Sequence, residues 1–428
     1  MKSEQTTPHN LHDVFTPASA DPSLNFVARG GTEDDLNHYL DTKGRPICVE
    51  GPFRCGKTSL VLRSVRTRYK RIVHVVCNNA TTFDELLSRA LDELAPVVSL
   101  VVESKEIKTK PGFKGAFGVE VDLGGGSKET LETMTPVLQP QLTSASVARF
   151  MVEADAAWVI DDAHKLTEPE FRKVACAMRE WQTMTFPGGY PKMIVVASDI
   201  GAPSATHRLI DGAPDLTTRL ARLGLSLMSD SELSQIIKRG EDLLNIDLSA
   251  IHHSVLQYSF GFPGICHDLC LQACRAAKIT RTADNKVTLN SAHLQQGLKK
   301  YVDEYAHSIK DSFEKVRDAL SQSVSPAFYS YVLGKVASRS VGEGIGLKVL
   351  SSEVEANLGL SQEVVASGIQ QFFSEDSGVL RFEPTTKVVL FREPLYRAFY
   401  IQQSAAESDE IEREELASAF LRVLSNEE

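Results

Sequence analysis

The chain has no paired-cysteine framework. Its seven cysteines, an odd number, stand at 48, 55, 77, 176, 266, 270 and 274, which excludes a disulfide scaffold. No C-x-x-C pair occurs either. Cys266, Cys270 and Cys274 fall on one helical face beside His267, and small apolar side chains packed on a helix account for them better than a metal does. Long apolar runs are missing too. The stretch 95–102, the longest near the middle, is far too short for a bilayer, and nothing at the start resembles a signal segment. The expectation is a cytoplasmic protein without a membrane partner. Positive charge is also in deficit: 46 basic against 56 acidic residues leave a net charge of −10. That discourages indiscriminate binding to nucleic acid over the whole surface and leaves only a local basic patch open. With 42% hydrophobic and 24% charged residues over 428 positions, the chain has room for two or three globular domains.

What is present centres on Gly51-Pro52-Phe53-Arg54-Cys55-Gly56-Lys57-Thr58. This run fits G-x-x-x-x-G-K-[ST], between a short buried strand at 46–50 and a helix beginning near Ser59. In such a loop the glycines let the backbone approach phosphate, and N–H groups at the helix start point at the anion. Lys57 reaches the β- and γ-phosphates, and the Thr58 hydroxyl can bind Mg²⁺. Farther on, the buried strand 156–160 ends in Asp161-Asp162, at the sheet edge where parallel sheets bind ligands. One carboxylate there can hold Mg²⁺, and the other can orient and deprotonate an attacking water.

The remaining chain is read in five parts. Residues 1–21 form a polar arm. Residues 22–228 form an α/β domain, with strands at 71–77, 192–197 and 223–228 beside those named above. An insertion at 103–142 interrupts this domain. Lys105, Lys108, Lys110 and Lys114 there alternate with glycine and Phe113 and Phe117, which suits single-stranded nucleic acid, a protein partner, or a functionless disordered loop. The basic run from Arg63 to Arg71 reads either as a nucleic-acid patch or as charges complementing a helix dipole. From the capping box Ser229-x-x-Glu232 to residue 310 the pattern is helical, with helices at 250–258, 263–277 and 290–308. Residues 311–402 read as helices at 328–337, 350–358 and 362–373 and strands at 378–382 and 387–391, the makings of a winged helix. Residues 403–428 are acidic, with one late amphipathic cluster.

With these residues in hand, the sequence from about 22 to 402 resembles the AAA+ and STAND ATPases, nearest the branch shared by origin-recognition-type and bacterial defence ATPases. Gly51 to Thr58 matches their Walker A motif and Val159-Ile160-Asp161-Asp162 their Walker B motif. The resemblance implies an α/β P-loop NTPase with a parallel sheet, an α-helical lid and a C-terminal winged helix. It further implies that Phe26-Val27-Ala28-Arg29 lies against the adenine, so Val27 and Arg29 join Gly51 to Ser59 in nucleotide binding. Ser198 matches the polar sensor. Arg219, or else Arg222, matches the arginine reaching a neighbouring subunit's γ-phosphate. Pro263 in Gly261-Phe262-Pro263 matches the lid proline that contacts nucleotide, and Phe391 to Arg397 matches the end of the winged helix. Thr58 and Asp161 would hold Mg²⁺, while Asp162, Arg219 and Ser198 would serve cleavage of ATP. Three departures stand out. Asp162 replaces a longer glutamate, which favours slow hydrolysis. Gly264 and Ile265 follow Pro263 where a second sensor arginine is usual. The winged helix has no histidine to hold ADP.

The function implied is an ATP-dependent switch that forms a homo-oligomer and regulates a separate effector protein, on family analogy in bacterial defence. The alternative is a DNA-binding initiator, loader or transposition regulator, with nucleic acid along the loop at 105–117. Charge weighs against direct base reading by the winged helix: residues 311–428 hold 11 basic and 19 acidic residues, whereas a duplex reader neutralises several phosphates.

Overall fold

The computed structural model describes residues 8–19, 24–106, 143–198, 204–324, 326–339, 344–373, 378–383 and 386–405. Most of the expected insertion, with Lys108, Lys110 and Lys114, and the acidic segment past 405 lie outside the described residues.

Five parallel strands make the central sheet: β1 (Ile47–Gly51), β2 (Arg71–Val76), β3 (Ala156–Asp161), β4 (Lys192–Ser198) and β5 (Ala221–Gly224), in the order β2-β3-β4-β1-β5. Every residue of β3 and β4 is buried, as continuous apolar runs in a two-sided sheet require. Two helices, α1 (Leu11–Val14) and α2 (Gly31–Asp41), precede the sheet; α3 (Lys57–Arg66) comes directly after β1 and its loop. On one face Leu36 and Leu40 of α2 and Leu60, Val61 and Val65 of α3 pack on the sheet. The other face is covered by α4 (Phe83–Glu106), α5 (Ser144–Glu153), α6 (Glu168–Thr183) and α7 (Ala205–Gly212). α4 runs through 103–106, where the sequence pattern places the insertion's start. β5 begins two residues earlier than expected and ends at Gly224. Its partner decides this: Ile47 to Glu50 pair with Ala221 to Gly224. Before it the chain makes a short 3-10 helix, Pro214–Thr218.

Next come α8 (Asp230–Leu244), whose capping box of Ser229 and Glu232 is formed, β6 (Ile246–Asp247), α9 (His252–Ser259), α10 (Pro263–Ala276) and β7 (Val287–Thr288). α11 (Ser291–Ser323) is far longer than the expected 290–308. Asn290 and His293 box its start, no proline interrupts it, and its buried side Leu294, Leu298, Tyr301, Ile309, Phe313, Val316 and Leu320 keeps a helical spacing to the end. It thereby joins one continuous core with the C-terminal elements: α12 (Pro326–Ala337), β8 (Ile345–Gly346), α13 (Leu347–Leu358), α14 (Gln362–Gln371), β9 (Leu380–Glu383), β10 (Val388–Phe391) and α15 (Pro394–Ala405). The three strands form an antiparallel sheet in the order β8-β10-β9, so these elements make a winged-helix-like cap. β8 is a strand the sequence did not announce.

The described part of the N-terminal arm is fastened down rather than free. Leu11, Val14 and Phe15 are fully buried in the core of α8 and α10. The Phe15 ring lies over Gly240, where a Cβ would sit only 2.1 Å from it. Only glycine gives the ring that seat.

Candidate functional site

The loop between β1 and α3 is shaped by residues that tolerate little else. A Cβ on Gly51 would lie 2.1 Å from the Leu225 carbonyl, and Gly56 takes φ +94°. Arg54 also adopts a positive φ, +59°, which costs a non-glycine residue energy and needs holding in place. Parallel pairing sets Gly51 beside Ser198. Lys57 is therefore buried where three oxygens meet it: its Nζ donates to the Gly51 and Pro52 carbonyls at 3.0 and 2.7 Å and to Ser198 Oγ at 3.3 Å.

Thr58 Oγ1 donates to Asp161 Oδ2 at 2.9 Å. His74 on β2 reaches the same oxygen through Nε2 at 3.1 Å, and the Asp162 N–H donates to Oδ1. Burial pushes the Asp161 pKa up, but the bonds from His74 and Thr58 outweigh it, so the carboxyl stays below its ordinary range. A hydroxyl and an ionised carboxylate side by side suit a hard divalent cation such as Mg²⁺. His74 carries no signal in the sequence; it sits 87 residues from Asp161, and only the β2–β3 pairing brings them together. Asp162 has φ +52°, and Lys165 Nζ donates to its Oδ2 at 3.0 Å. The Ser198 N–H donates to His164 Nδ1 at 3.0 Å.

A cavity of about 250 Å³ joins these groups to the lid. Phe53, Arg54, Gly56, Lys57, Thr58, Ser59, Asp162, Ser198, Val27, Arg29 and Pro263 all line it. Gly51, Pro52, Cys55 and Asp161 support it from behind. Arg29 acts chiefly as a clamp: its guanidinium donates to the Cys55 and Ser226 carbonyls at 2.9 and 2.6 Å and pairs with Glu232 at 3.2 Å. Strand exit, phosphate loop and lid thus meet on one side chain. Arg219 is exposed after the turn at 214–218 and is not among the cavity's lining residues. The neighbouring Arg222 Nη2 donates to the Thr217 carbonyl at 3.2 Å.

The sequence also left unseen how the cap grips the phosphate loop. Arg54 Nη1 lies 3.3 Å from Glu393 Oε1, and its guanidinium stands over the Tyr305 ring. Arg392 stands over the Phe53 ring at 4.6 Å. Burial works against the Arg54 charge, yet Glu393, with smaller contributions from Tyr301 and Tyr305, more than offsets it. Glu393→Gln should strand that charge and cost about 2 kcal/mol of unfolding free energy. This is less than breaking a fully buried pair, since Arg54 keeps 22% of its side chain exposed. Adding Arg54→Met should recover most of the loss in urea denaturation; an unchanged midpoint in the single variant would show the pair to be inert.

No family profile matches the chain, and no curated protein matches it in sequence. Solved structures do match. The Walker-type ATPase of Pyrococcus abyssi aligns at 14% identity over 87% of this chain and 95% of that one, with a TM-score of 0.57. The ORC2 protein of Aeropyrum pernix in its ADP form aligns at 13% identity over 97% and 98%, TM-score 0.49. The RuvB Holliday junction branch migration motor of Thermotoga maritima aligns at 14% over 88% and 95%, TM-score 0.40. At such identities the likeness is one of fold. The chain has a P-loop NTPase fold like that of the Walker-type ATPase: a parallel sheet, a helical lid and a small antiparallel cap. No helix among the described residues is long and apolar enough to cross a membrane.

Proposed function

We propose that this chain binds ATP with Mg²⁺ and hydrolyses it, working as a homo-oligomer. The observation that carries the reading is the convergence of Lys57, Ser198, Thr58 and Asp161 at one end of a cavity whose other end is lined by the lid. The Lys57 ammonium rests on neutral oxygens, which a triphosphate, as a charged acceptor, replaces to advantage. Thr58 and Asp161 would hold Mg²⁺, which neutralises phosphate charge when bound. Asp162 orients and deprotonates water once Lys165 yields it, and the Ser198 hydroxyl stays beside Lys57. The short carboxylate and its lysine partner both favour slow turnover. Arg219, exposed and away from its own cavity, fits a role on a neighbouring subunit's nucleotide.

Two outputs fit such an ATPase. Regulation of a separate effector in bacterial defence rests on the sequence resemblance alone. A DNA-acting initiator, loader or transposition regulator draws support from the cap, and we place it first. α14 exposes Gln362, Ser367, Gln370 and Gln371 beside the acidic Glu363, and glutamine amides suit adenine edges in a major groove. α14 has no cation of its own, so phosphate contacts must come from elsewhere. The test is mass in solution with an ATP analogue, with and without duplex DNA, across a salt series. A nucleotide-dependent oligomer is expected, with DNA binding that weakens as salt rises. Binding to DNA that is absent even at low salt would return the effector reading to first place.

A further inference from the structure

We propose that the far end of the cavity selects the adenine base through two side chains, Asn25 as hydrogen-bond acceptor and His267 as donor. This deepens the ATP reading and rests on it.

Asn25 lines the cavity and is only 1% exposed. Its Nδ2 donates to the Ile236 carbonyl at 3.1 Å, which settles the orientation of the amide, since a carbonyl oxygen there would face another. Oδ1 is consequently turned from the Ile236 carbonyl, and it is buried with no hydrogen-bond partner among the described residues. A buried carbonyl is costly to leave unmet, and because Asn25 lines the cavity a ligand there is placed to meet it after a small shift of the side chain. The backbone around it is fixed as well: Arg239 donates to the Phe26 carbonyl, and Arg63 stands over the Phe26 ring.

His267 lines the same cavity from α10. Its Nδ1 accepts from the Thr16 N–H at 3.3 Å. A backbone N–H can only donate, so the ring proton sits on Nε2. Burial drives the His267 pKa down to about 4, which keeps the ring neutral near pH 7. The Phe15 ring meets the imidazole edge-on, centroids 6.0 Å apart. The N-terminal arm therefore sets which nitrogen donates. That is a use for the arm beyond filling the core of the lid.

One acceptor and one donor on the base end complement adenine. Its exocyclic amine donates, and N7, or N1 on the opposite edge, accepts beside it. Guanine and hypoxanthine place O6 where the amine stands. O6 would oppose Asn25 Oδ1, two acceptors facing each other with nothing between them. A site built around buried hydrogen bonds rejects such an analogue strongly because its own groups go unpaired.

The test is equilibrium calorimetry on the full chain with ATP, ITP, GTP and inorganic tripolyphosphate, each with Mg²⁺. Wild type is expected to bind ATP at least about tenfold more tightly than ITP or GTP, the value of one hydrogen bond. Asn25→Ala should weaken ATP and, by removing the acceptor that O6 opposes, tighten ITP, so that the two affinities converge while tripolyphosphate stays unchanged. His267→Leu should weaken ATP and spare tripolyphosphate. Unchanged tripolyphosphate binding shows that the phosphate loop, and so the fold, survives each substitution. Equal wild-type affinities for ATP and ITP overturn the inference, with no variant needed. So does an Asn25→Ala chain that keeps its preference. If ATP and tripolyphosphate both fail to bind wild type, the ATP reading itself falls, and this inference with it.

Discussion

Replacing Lys57 with alanine is expected to lower the affinity for ATP by roughly 100-fold and to remove turnover, the loss expected on deleting a charged hydrogen-bond donor from a buried site. The geometry explains the size. Lys57 is 7% exposed, and its ammonium is already gathered at Gly51, Pro52 and Ser198. No ordering of a floppy side chain offsets its attraction for phosphate. Alanine also suits the helix start, so unfolding free energy should move by about 1 kcal/mol or less, in the range of changes away from packed apolar cores. Calorimetry with Mg²⁺ and ATP reads the affinity, and phosphate release reads turnover. A variant that binds ATP within about threefold of wild type, a difference of well under 1.4 kcal/mol, would remove Lys57 from the site.

The same residues show what sequence can and cannot carry. Gly51 to Thr58 and Asp161-Asp162 were legible because their chemistry is written in local spacing and in the strands that end at them. Arg54 was visible as a loop residue, but its partner Glu393 lies 339 positions away, and no local pattern points there. His74 was only one residue of a β-branched strand until β2 paired with β3. Asn25 and His267 line one cavity from positions 242 residues apart, and the arm that fixes the His267 ring looked like an unattached tail: Leu11, Val14 and Phe15 are too few to make a periodicity. β5 was displaced because Ala221 and Arg222 look like the end of a helix, whereas hydrogen bonding to β1 fixes them as strand. The lysine loop was legible as a charge pattern alone, and Lys108, Lys110 and Lys114 lie outside the described residues.

Arg219→Ala is expected to cut ATP turnover by about 10³-fold, the low end for an arginine finger, while nucleotide affinity stays within about twofold. The reason for the split is position. Arg219 follows the turn Pro214–Thr218, exposed, and does not line the cavity that Lys57, Thr58 and Asp162 share. A side chain outside its own cavity adds little to binding there, yet it can meet charge developing on a neighbour's γ-phosphate. Arg222 is the weaker candidate, since its guanidinium already donates to Thr217. A chain carrying Asp162→Asn supplies the opposite defect: an intact arginine and no base. Mixed oligomers of the two inactive variants then contain interfaces with Arg219 from one chain and Asp162 from the other. Turnover should reappear on mixing and peak near equal proportions. Because each productive interface needs one of each parent, activity should fall toward zero at both ends of the titration. A flat line across all ratios, with co-assembly confirmed by mass, would mean that the arginine does not act between subunits.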